Sequence, residues 1–250
     1  MDNRACLDLM LRTGQMLLES GAETFRAEDA ALYIFNRIGE GSINIFAVPT
    51  MVIIEIKGTN GQVLTGCKRI RHRSSHLGKF EQVNDVARRV SSGELSAEAA
   101  LLQLDAIDCA RQPRRILTML AMACAAGLFS LLITGGPVEA FFAFVSCFLA
   151  QCAGIVFSSV SMYPFFSSML GGLVPTLVML LVHRFLPQVN EQTVVIASML
   201  PLFPGVSTVN AIRDAINDDL ISGVSRAAEA VMIAVGLGIG ASFILLLEVL

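Results

Sequence analysis

Two stretches of this 250-residue sequence concentrate side chains that could do chemistry. The first is Met199-Leu200-Pro201-Leu202-Phe203-Pro204-Gly205-Val206-Ser207-Thr208-Val209-Asn210. Two prolines three residues apart remove two backbone donors and push the residues before them out of helical geometry. Gly205 permits a tight restart, and a helix beginning there presents free N–H groups, a ready anion site. Ser207, Thr208 and Asn210 add short polar groups close to that end. A proline kink packed against its neighbours, with hydroxyls bonding back to the helix, would use the same residues. Pro-x-x-Pro-Gly followed by Ser-Thr-x-Asn favours a site, so Pro204, Gly205, Ser207, Thr208 and Asn210 are the candidate substrate-binding residues.

The second stretch is Gly21-Ala22-Glu23-Thr24-Phe25-Arg26-Ala27-Glu28-Asp29. Glu23, Arg26 and Asp29 recur at three-residue steps, which sets charges side by side on the first turns of a helix. Taken alone, this is an amphipathic helix start with acids suited to the N-terminal dipole. Glu23, Thr24, Arg26, Glu28 and Asp29 form a candidate site. A third group, Asp214, Asp218, Asp219, Arg226 and Glu229, reads mainly as a solvated loop with an Arg226–Glu229 pair one turn apart. Asp214, Arg226 and Glu229 are its candidates for gating or coupling.

Other patterns fail on inspection. Gly61-x-x-x-x-Gly66-Cys67-Lys68 imitates a phosphate loop, but Lys comes one residue late, no Ser or Thr follows, and the run has strand character. His72 and His76 have metal-ligand spacing, yet Arg71 and Arg73 flank the first and no Glu follows it. Lys68, Arg69, Arg71 and Arg73 read as a solvated strand end, with anionic headgroups as the alternative contact. No Gly-x-Ser-x-Gly elbow occurs. Six cysteines show neither CxxC spacing nor the density of a disulfide framework. Neither a catalytic residue nor a metal or organic cofactor is expected.

The elements that must position these groups follow from composition. The chain is 54% hydrophobic and 16% charged, against about 25% charged in an ordinary soluble domain. Residues 1–115 hold 15 Lys/Arg and 14 Asp/Glu, whereas 116–250 hold only 3 and 7. The net charge of −3 gives no field for nucleic acid. Five apolar runs, 116–134, 140–160, 163–182, 193–212 and 227–249, approach the roughly 20 residues that cross a hydrocarbon core. The breaks fall at Gly135-Gly136-Pro137, Ser161-Met162, His183 to Gln192, and Asp214 to Arg226. Arg111, Arg114 and Arg115 precede the first run. With Arg213 and Arg226 on the same side and only Arg184 opposite, the N-terminal side is cytoplasmic and the C-terminus outside. Tyr163 is the aromatic anchor in a chain without Trp. Gly171-Gly172 with Pro175, and Gly236-x-x-x-Gly240, read as close-packing positions, the partner of the latter being either this chain or another. Met1-Asp2-Asn3-Arg4 lacks the features of a cleaved signal.

Before Pro113 the period differs. Residues 3–20 and 22–38 are amphipathic helices ended by Gly21 and Gly39. Ile43–Val48, Met51–Lys57 and Gln62–Ile70 are strands with a turn at 58–61. Helices follow at 78–91 and 96–107. The expected fold class is therefore an α+β soluble N-terminal domain, 1–110, followed by an all-α membrane domain of five transmembrane helices, 111–250. Many secondary transporters pair two oppositely oriented repeats, and a five-span chain could be one of the two.

Gly21-Ala22-Glu23-Thr24 with Arg26-x-Glu28-Asp29, then Pro204-Gly205-x-x-x-x-Asn210, then Ser222-Gly223-x-x-Arg226, resemble the ThrE-type threonine/serine exporter family. The order of features matches along essentially the whole chain. The resemblance implies secondary transport driven by a proton gradient. It also implies division of a ten-span exporter between a headed subunit, which this chain looks like, and a small second membrane subunit. Split forms are connected with succinate export, so a dicarboxylate is the alternative to threonine or serine. The expected protein is a multi-pass subunit of the cytoplasmic (inner) membrane with its N-terminal domain in the cytoplasm. Its expected partners are that second subunit, a small-molecule solute and the lipid bilayer, with a homo-oligomer as the alternative assembly. The alternative functions are a membrane-tethered hydrolase and a non-transporting assembly subunit.

Overall fold

A computed structural model describes residues 3–110, 114–133, 136–158 and 164–249, with side chains other than those of 158 and 244–249. Arg111, Pro113, Gly135, Ser161, Met162 and Tyr163, singled out above as flanks, breaks or an anchor, lie outside the described residues. The chain forms two compact units, Met1–Arg111 with Val206–Ala227, and Gln112–Gly205 with Ala228–Leu250.

In the first unit, α1 (Asn3–Glu19) is buried on nearly every side, from Cys6 and Leu9 through Met16, Leu17 and Leu18. One neighbour is an antiparallel sheet of β1 (Ser42–Val48), β2 (Met51–Lys57) and β3 (Val63–Arg69), ordered β1-β2-β3. The alternation expected of strands is clearest in β2, where Val52, Ile54 and Ile56 turn inward. Register pairs Ile45 with Ile54 and Ile54 with Gly66. At Gly66 the sheet lies close to α1, and a Cβ there would require the Leu11 side-chain methyl to move aside. The remaining layer is helical: α2 (Thr24–Ile38), α3 (Leu77–Ser91) and α4 (Ala97–Cys109). His76, rejected as a metal ligand, caps α3 by accepting from the Lys79 N–H at 3.0 Å.

α1 ends in a Schellman turn. Gly21 has φ +88°, its N–H donates to Leu18 at 3.2 Å, and the Ala22 N–H donates to Leu17 at 3.0 Å. α9 (Gly205–Ile216), whose residues from Val206 belong to this unit, ends the same way. Asp218 takes the left-handed position with φ 66°, and the Asp219 N–H returns to the Asp214 carbonyl at 2.9 Å. Asp tolerates that conformation better than most residues. The chain then enters α10 (Leu220–Val249). A Cβ at Gly223 would sit 3.0 Å from the Ala211 carbonyl, so α9 and the first turns of α10 form a tight hairpin.

The second unit holds α5 (Arg115–Ile133), α6 (Pro137–Ser158), α7 (Pro164–His183), α8 (Glu191–Met199), a 3₁₀ turn at Leu200–Leu202, and the rest of α10. Four helices are long and apolar enough to cross a membrane, and the bent pair Glu191–Leu202 with Gly205–Ile216 raises this to as many as five. Leu117, Leu128, Leu132, Phe141, Val156 and Leu181 are exposed, an apolar surface of the kind that faces lipid. Gly236 and Gly240 pack within this chain, answering the question of their partner. Cβ atoms there would meet the Phe165 and Met169 carbonyls of α7, and one at Gly172 would strike the Leu237 carbonyl.

Candidate functional site

The Schellman turn and the start of α2 leave Gly21–Thr24 with backbone groups that no helix satisfies. The Gly21 and Ala22 carbonyls lie beyond α1. The Thr24 N–H opens α2, whose N-cap Glu23 makes no side-chain capping bond. Partners for all three come from 189 to 204 residues away in sequence. Asn210 Nδ2 donates to the Gly21 carbonyl at 2.8 Å. Arg226 Nη2 donates to the Ala22 carbonyl at 2.6 Å. Asp214 Oδ1 accepts from the Thr24 N–H at 2.9 Å.

Asp214 and Arg226 also pair with each other, Nε to Oδ2 at 2.8 Å, and are 0% and 4% exposed. The pair complements both helix ends at once. Its anion sits at the N-terminus of α2 and its cation beside the carbonyls that end α1, the arrangement each macrodipole favours. Asn210, Arg213 and Asp214 fall at i, i+3 and i+4 of α9, so one stripe meets the turn. Val206, Val209, Ile212 and Ile216 of the same helix stay exposed.

A second ion pair flanks the first. Arg213 Nη1 donates to Glu23 Oε1 at 2.5 Å, and Arg26 Nε pairs with Glu23 Oε2 at 2.9 Å. Arg26 in turn lies over the Phe25 and Phe80 rings, 5.8 and 5.7 Å from their centroids. Burial pushes the Glu23 pKa up, but its own backbone N–H, the Arg213 hydrogen bond and the charges of Arg26 and Arg213 outweigh this and hold it below the usual range. Glu28 behaves oppositely. Burial raises its pKa, and the charges of Asp219 and Asp29 add to that, against a hydrogen bond from the Ala47 N–H at 2.7 Å. Burial also raises Asp219, with Asp214 and Asp218 contributing.

Several expectations meet here. The structure joins Glu23, Thr24, Asn210, Asp214 and Arg226 in one cluster, which the sequence divided among three. Asp214 and Arg226 are buried rather than part of a solvated loop, because the turn gives each a charge partner and a backbone partner. Arg26 sits beside the cluster, and Glu28 faces β1. Asp29 is exposed and borders a cleft of about 530 Å³ with Tyr33, Asn84 and Arg88. Ser207 is half-buried and Thr208 exposed on the first turns of α9, while Pro204, Gly205 and Glu229 belong to the second unit. Sequence reasoning did not place Arg213 in this cluster. Its signal was its place on the Asn210–Asp214 stripe.

In the second unit, the chain breaks after the Leu200–Leu202 turn, where the Phe203 N–H returns to the Leu200 carbonyl at 3.1 Å. Leu202 lines a cleft of about 430 Å³ with Gln151, Ser167, Ser168, Gly171 and Leu237. Gln151 Nε2 donates to the Met119 carbonyl at 3.3 Å. A Cβ built on Gly205 meets nothing within 4 Å. Among the described residues, no group of three His, Cys, Asp or Glu side chains could hold a metal ion.

Comparison with known proteins adds three findings. Residues 8–247 match the family described as "Putative threonine/serine exporter". A "Probable threonine/serine exporter" of Mycobacterium tuberculosis is 22% identical over 95% of this chain, which spans 45% of that protein's length. The "Probable succinate transporter subunit YjjP" of Klebsiella aerogenes is 24% identical over 96% of this chain and 92% of its own. No solved structure matches the chain.

Proposed function

The chain belongs to the threonine/serine exporter family, and from that premise we propose that it is one subunit of a secondary exporter for a small carboxylate-bearing metabolite. Threonine or serine is the first assignment, and a dicarboxylate such as succinate is the second, favoured by the name of the Klebsiella relative. A transporter family, not an enzyme family, supplies the frame. In this reading the protein is multi-pass and resides in the cytoplasmic membrane. Residues 1–110 lie in the cytoplasm, 111–250 form the five-span membrane domain, and the C-terminus lies outside. The partner is a second small membrane subunit, a reading supported by the word "subunit" in one relative's name and by the 45% coverage of the other.

The solute path includes the chain break before α9, with Pro204 and Gly205 leading into that helix and Ser207 and Thr208 on its first turn. Asn210, Asp214 and Arg226 form the gate by which α9 and α10 close on Gly21–Thr24, and Glu229 follows on α10. The observation that carries this reading is the buried Asp214–Arg226 pair. A fully desolvated ion pair is a poor way to gain stability, but it suits an element with two discrete arrangements. The test is flux of radiolabelled serine, threonine and succinate from proteoliposomes holding this chain with and without its partner. Flux of one solute that needs both subunits supports the reading. Full flux from this chain alone would replace the partner with a homo-oligomer, and no flux of any of the three would overturn the exporter assignment.

A further inference from the structure

The Asp214 carboxylate is held as a bound ligand carboxylate would be. One oxygen takes an N–H at the start of α2 and the other takes the Arg226 guanidinium, at 2.9 and 2.8 Å. A helix N-terminus and a buried arginine together make a two-point site for any carboxylate. Arg226 is fixed in place independently of Asp214 by its bond to the Ala22 carbonyl. One further group lacks an occupant. Thr24 Oγ1, on the residue whose N–H holds Asp214, is fully buried and has no hydrogen-bond partner among the described residues. Such a group ordinarily finds a partner. A structural cap supplied by Asp214 leaves it unmet, whereas a ligand with a donor or acceptor beside its carboxylate could satisfy it.

We propose that Thr24 and Arg226 form a carboxylate-binding site, occupied in this structure by the chain's own Asp214, and that the solute's carboxylate enters by displacing it. The proposal rests on the exporter reading and names how that subunit captures its solute. Displacement moves α9, because Asp214 is wholly enclosed and cannot leave unless α9 draws back from Gly21–Thr24 while Arg226 keeps its bond to the Ala22 carbonyl. Arg213 departs on the same helix. Glu23, an ionised carboxylate, then keeps Arg26 but loses its second cation, and it stands one residue before the Thr24 N–H. An ammonium group satisfies it, whereas the distal carboxylate of a dicarboxylate meets like charge. The site therefore selects an α-amino acid over a dicarboxylate. The hydroxyl of serine or threonine is a further group able to partner Thr24 Oγ1.

The experiment uses the full chain in lipid nanodiscs, without flux, at constant ionic strength. Hydrogen exchange is followed across residues 206–219 of the unmodified protein with sodium chloride, acetate, succinate or serine added. Exchange should rise with acetate and most with serine, and stay unchanged with chloride. Binding of labelled serine is then compared among variants. Asp214→Asn weakens the internal competitor and should bind about tenfold more tightly, the equivalent of about 1.4 kcal/mol. Arg226→Gln should lose binding, and Glu23→Gln should lose the preference for serine over acetate. Asp214→Ala should melt lower than the parent and recover with acetate but not with chloride, which keeps the test open should Arg226→Gln fail to fold. Unchanged or reduced exchange with every carboxylate, or equal or weaker binding by Asp214→Asn, would overturn the proposal. A greater response to succinate than to serine would overturn the amino-acid assignment. These readouts are independent of transport: binding without flux sinks the exporter reading alone, and flux without opening sinks only the exchange.

Discussion

α10 makes two contacts of opposite character. In its first turns, which belong with the α+β unit, Arg226 reaches a carbonyl and a carboxylate, and the hairpin closes on Gly21–Thr24 through charged and amide side chains. Further along, in the unit of apolar helices, the same helix meets α7 through glycines, with no room for a Cβ at Gly236, Gly240 or the facing Gly172. The glycine contact depends on shape, and hydrocarbon offers it no competitor. The polar contact depends on groups that water or a charged solute can replace. A helix anchored sterically over one stretch and electrostatically over another has a part fixed by shape and a part held by charge.

The largest effect should come from the fixed part. Gly240→Leu places side-chain atoms on the Met169 carbonyl, and overpacking of even ordinary core sites costs about 1–3 kcal/mol. With backbone as the obstacle, the variant should yield no monodisperse protein in detergent size-exclusion chromatography. A well-behaved Gly240→Leu protein would mean that α7 and α10 can separate freely. Next is Arg226→Met, which leaves Asp214 buried without its cation and should destabilise by about 3–5 kcal/mol. Asp214→Leu combined with Arg226→Met should recover part of that loss in thermal unfolding, since neither charge is then stranded. No recovery would show that the bonds to Ala22 and Thr24, rather than the pair, dominate. Asn210→Leu removes one neutral donor from the Gly21 carbonyl and should cost about 1 kcal/mol, with export falling while membrane insertion is normal.

The pH dependence sharpens the same contrast within the α+β unit. Glu28 has a raised pKa when folded, so the folded state holds its proton more tightly than the unfolded chain. Its contribution is complete below the ordinary glutamate range and declines as pH rises through the raised value. Glu28→Gln keeps an acceptor for the Ala47 N–H and removes the charge. Its melting temperature should exceed the parent's at neutral pH, with the gap closing in acid. Asp108 runs the other way. The Lys79 hydrogen bond at 2.6 Å and the charges of Lys79 and Arg12 hold its pKa down, against burial, so its contribution is present at neutral pH and lost as pH falls. The smallest expected stability change, within about 0.5 kcal/mol, belongs to Gly205→Leu, which meets open space in this chain. A loss of export from that normally folded variant would therefore report on the solute path, and unchanged export would reduce the Pro201–Pro204 break to a packing kink.

Much of this arrangement was legible in the sequence because it is local. Strand alternation in Met51–Lys57, the stop at Gly21 and the apolar runs each depend on neighbours within a few residues, and most elements fall close to the expected bounds. The exception is the break expected from Asp214 to Arg226, where α9 continues to Ile216 and α10 already begins at Leu220. The helix break was also visible, since two prolines disrupt a helix wherever it packs. What could not be read was that Asn210, Arg213 and Asp214 serve Gly21–Thr24. The turn's unmet carbonyls and the unmet N–H of α2 are backbone groups, invisible in a list of side chains. Charges between two apolar runs ordinarily mean solvent, so Asp214 and Arg226 gave no sign of burial. The positive φ of Asp218, which sets the hairpin, carries no strong residue signature either.

The proposed capture of solute requires α9 to release Gly21–Thr24 while Arg226 stays in place. An Arg26→Cys/Arg213→Cys variant, at two exposed positions whose side chains both reach Glu23, places across that junction two thiols that a short bis-maleimide can bridge and leaves Glu23 itself intact. Export should be measured in proteoliposomes with the second subunit present, comparing the bridged protein with the same variant capped by a mono-maleimide. Capped protein should export and bridged protein should not. Equal export from both would contradict it, and the buried cluster would then be a permanent joint.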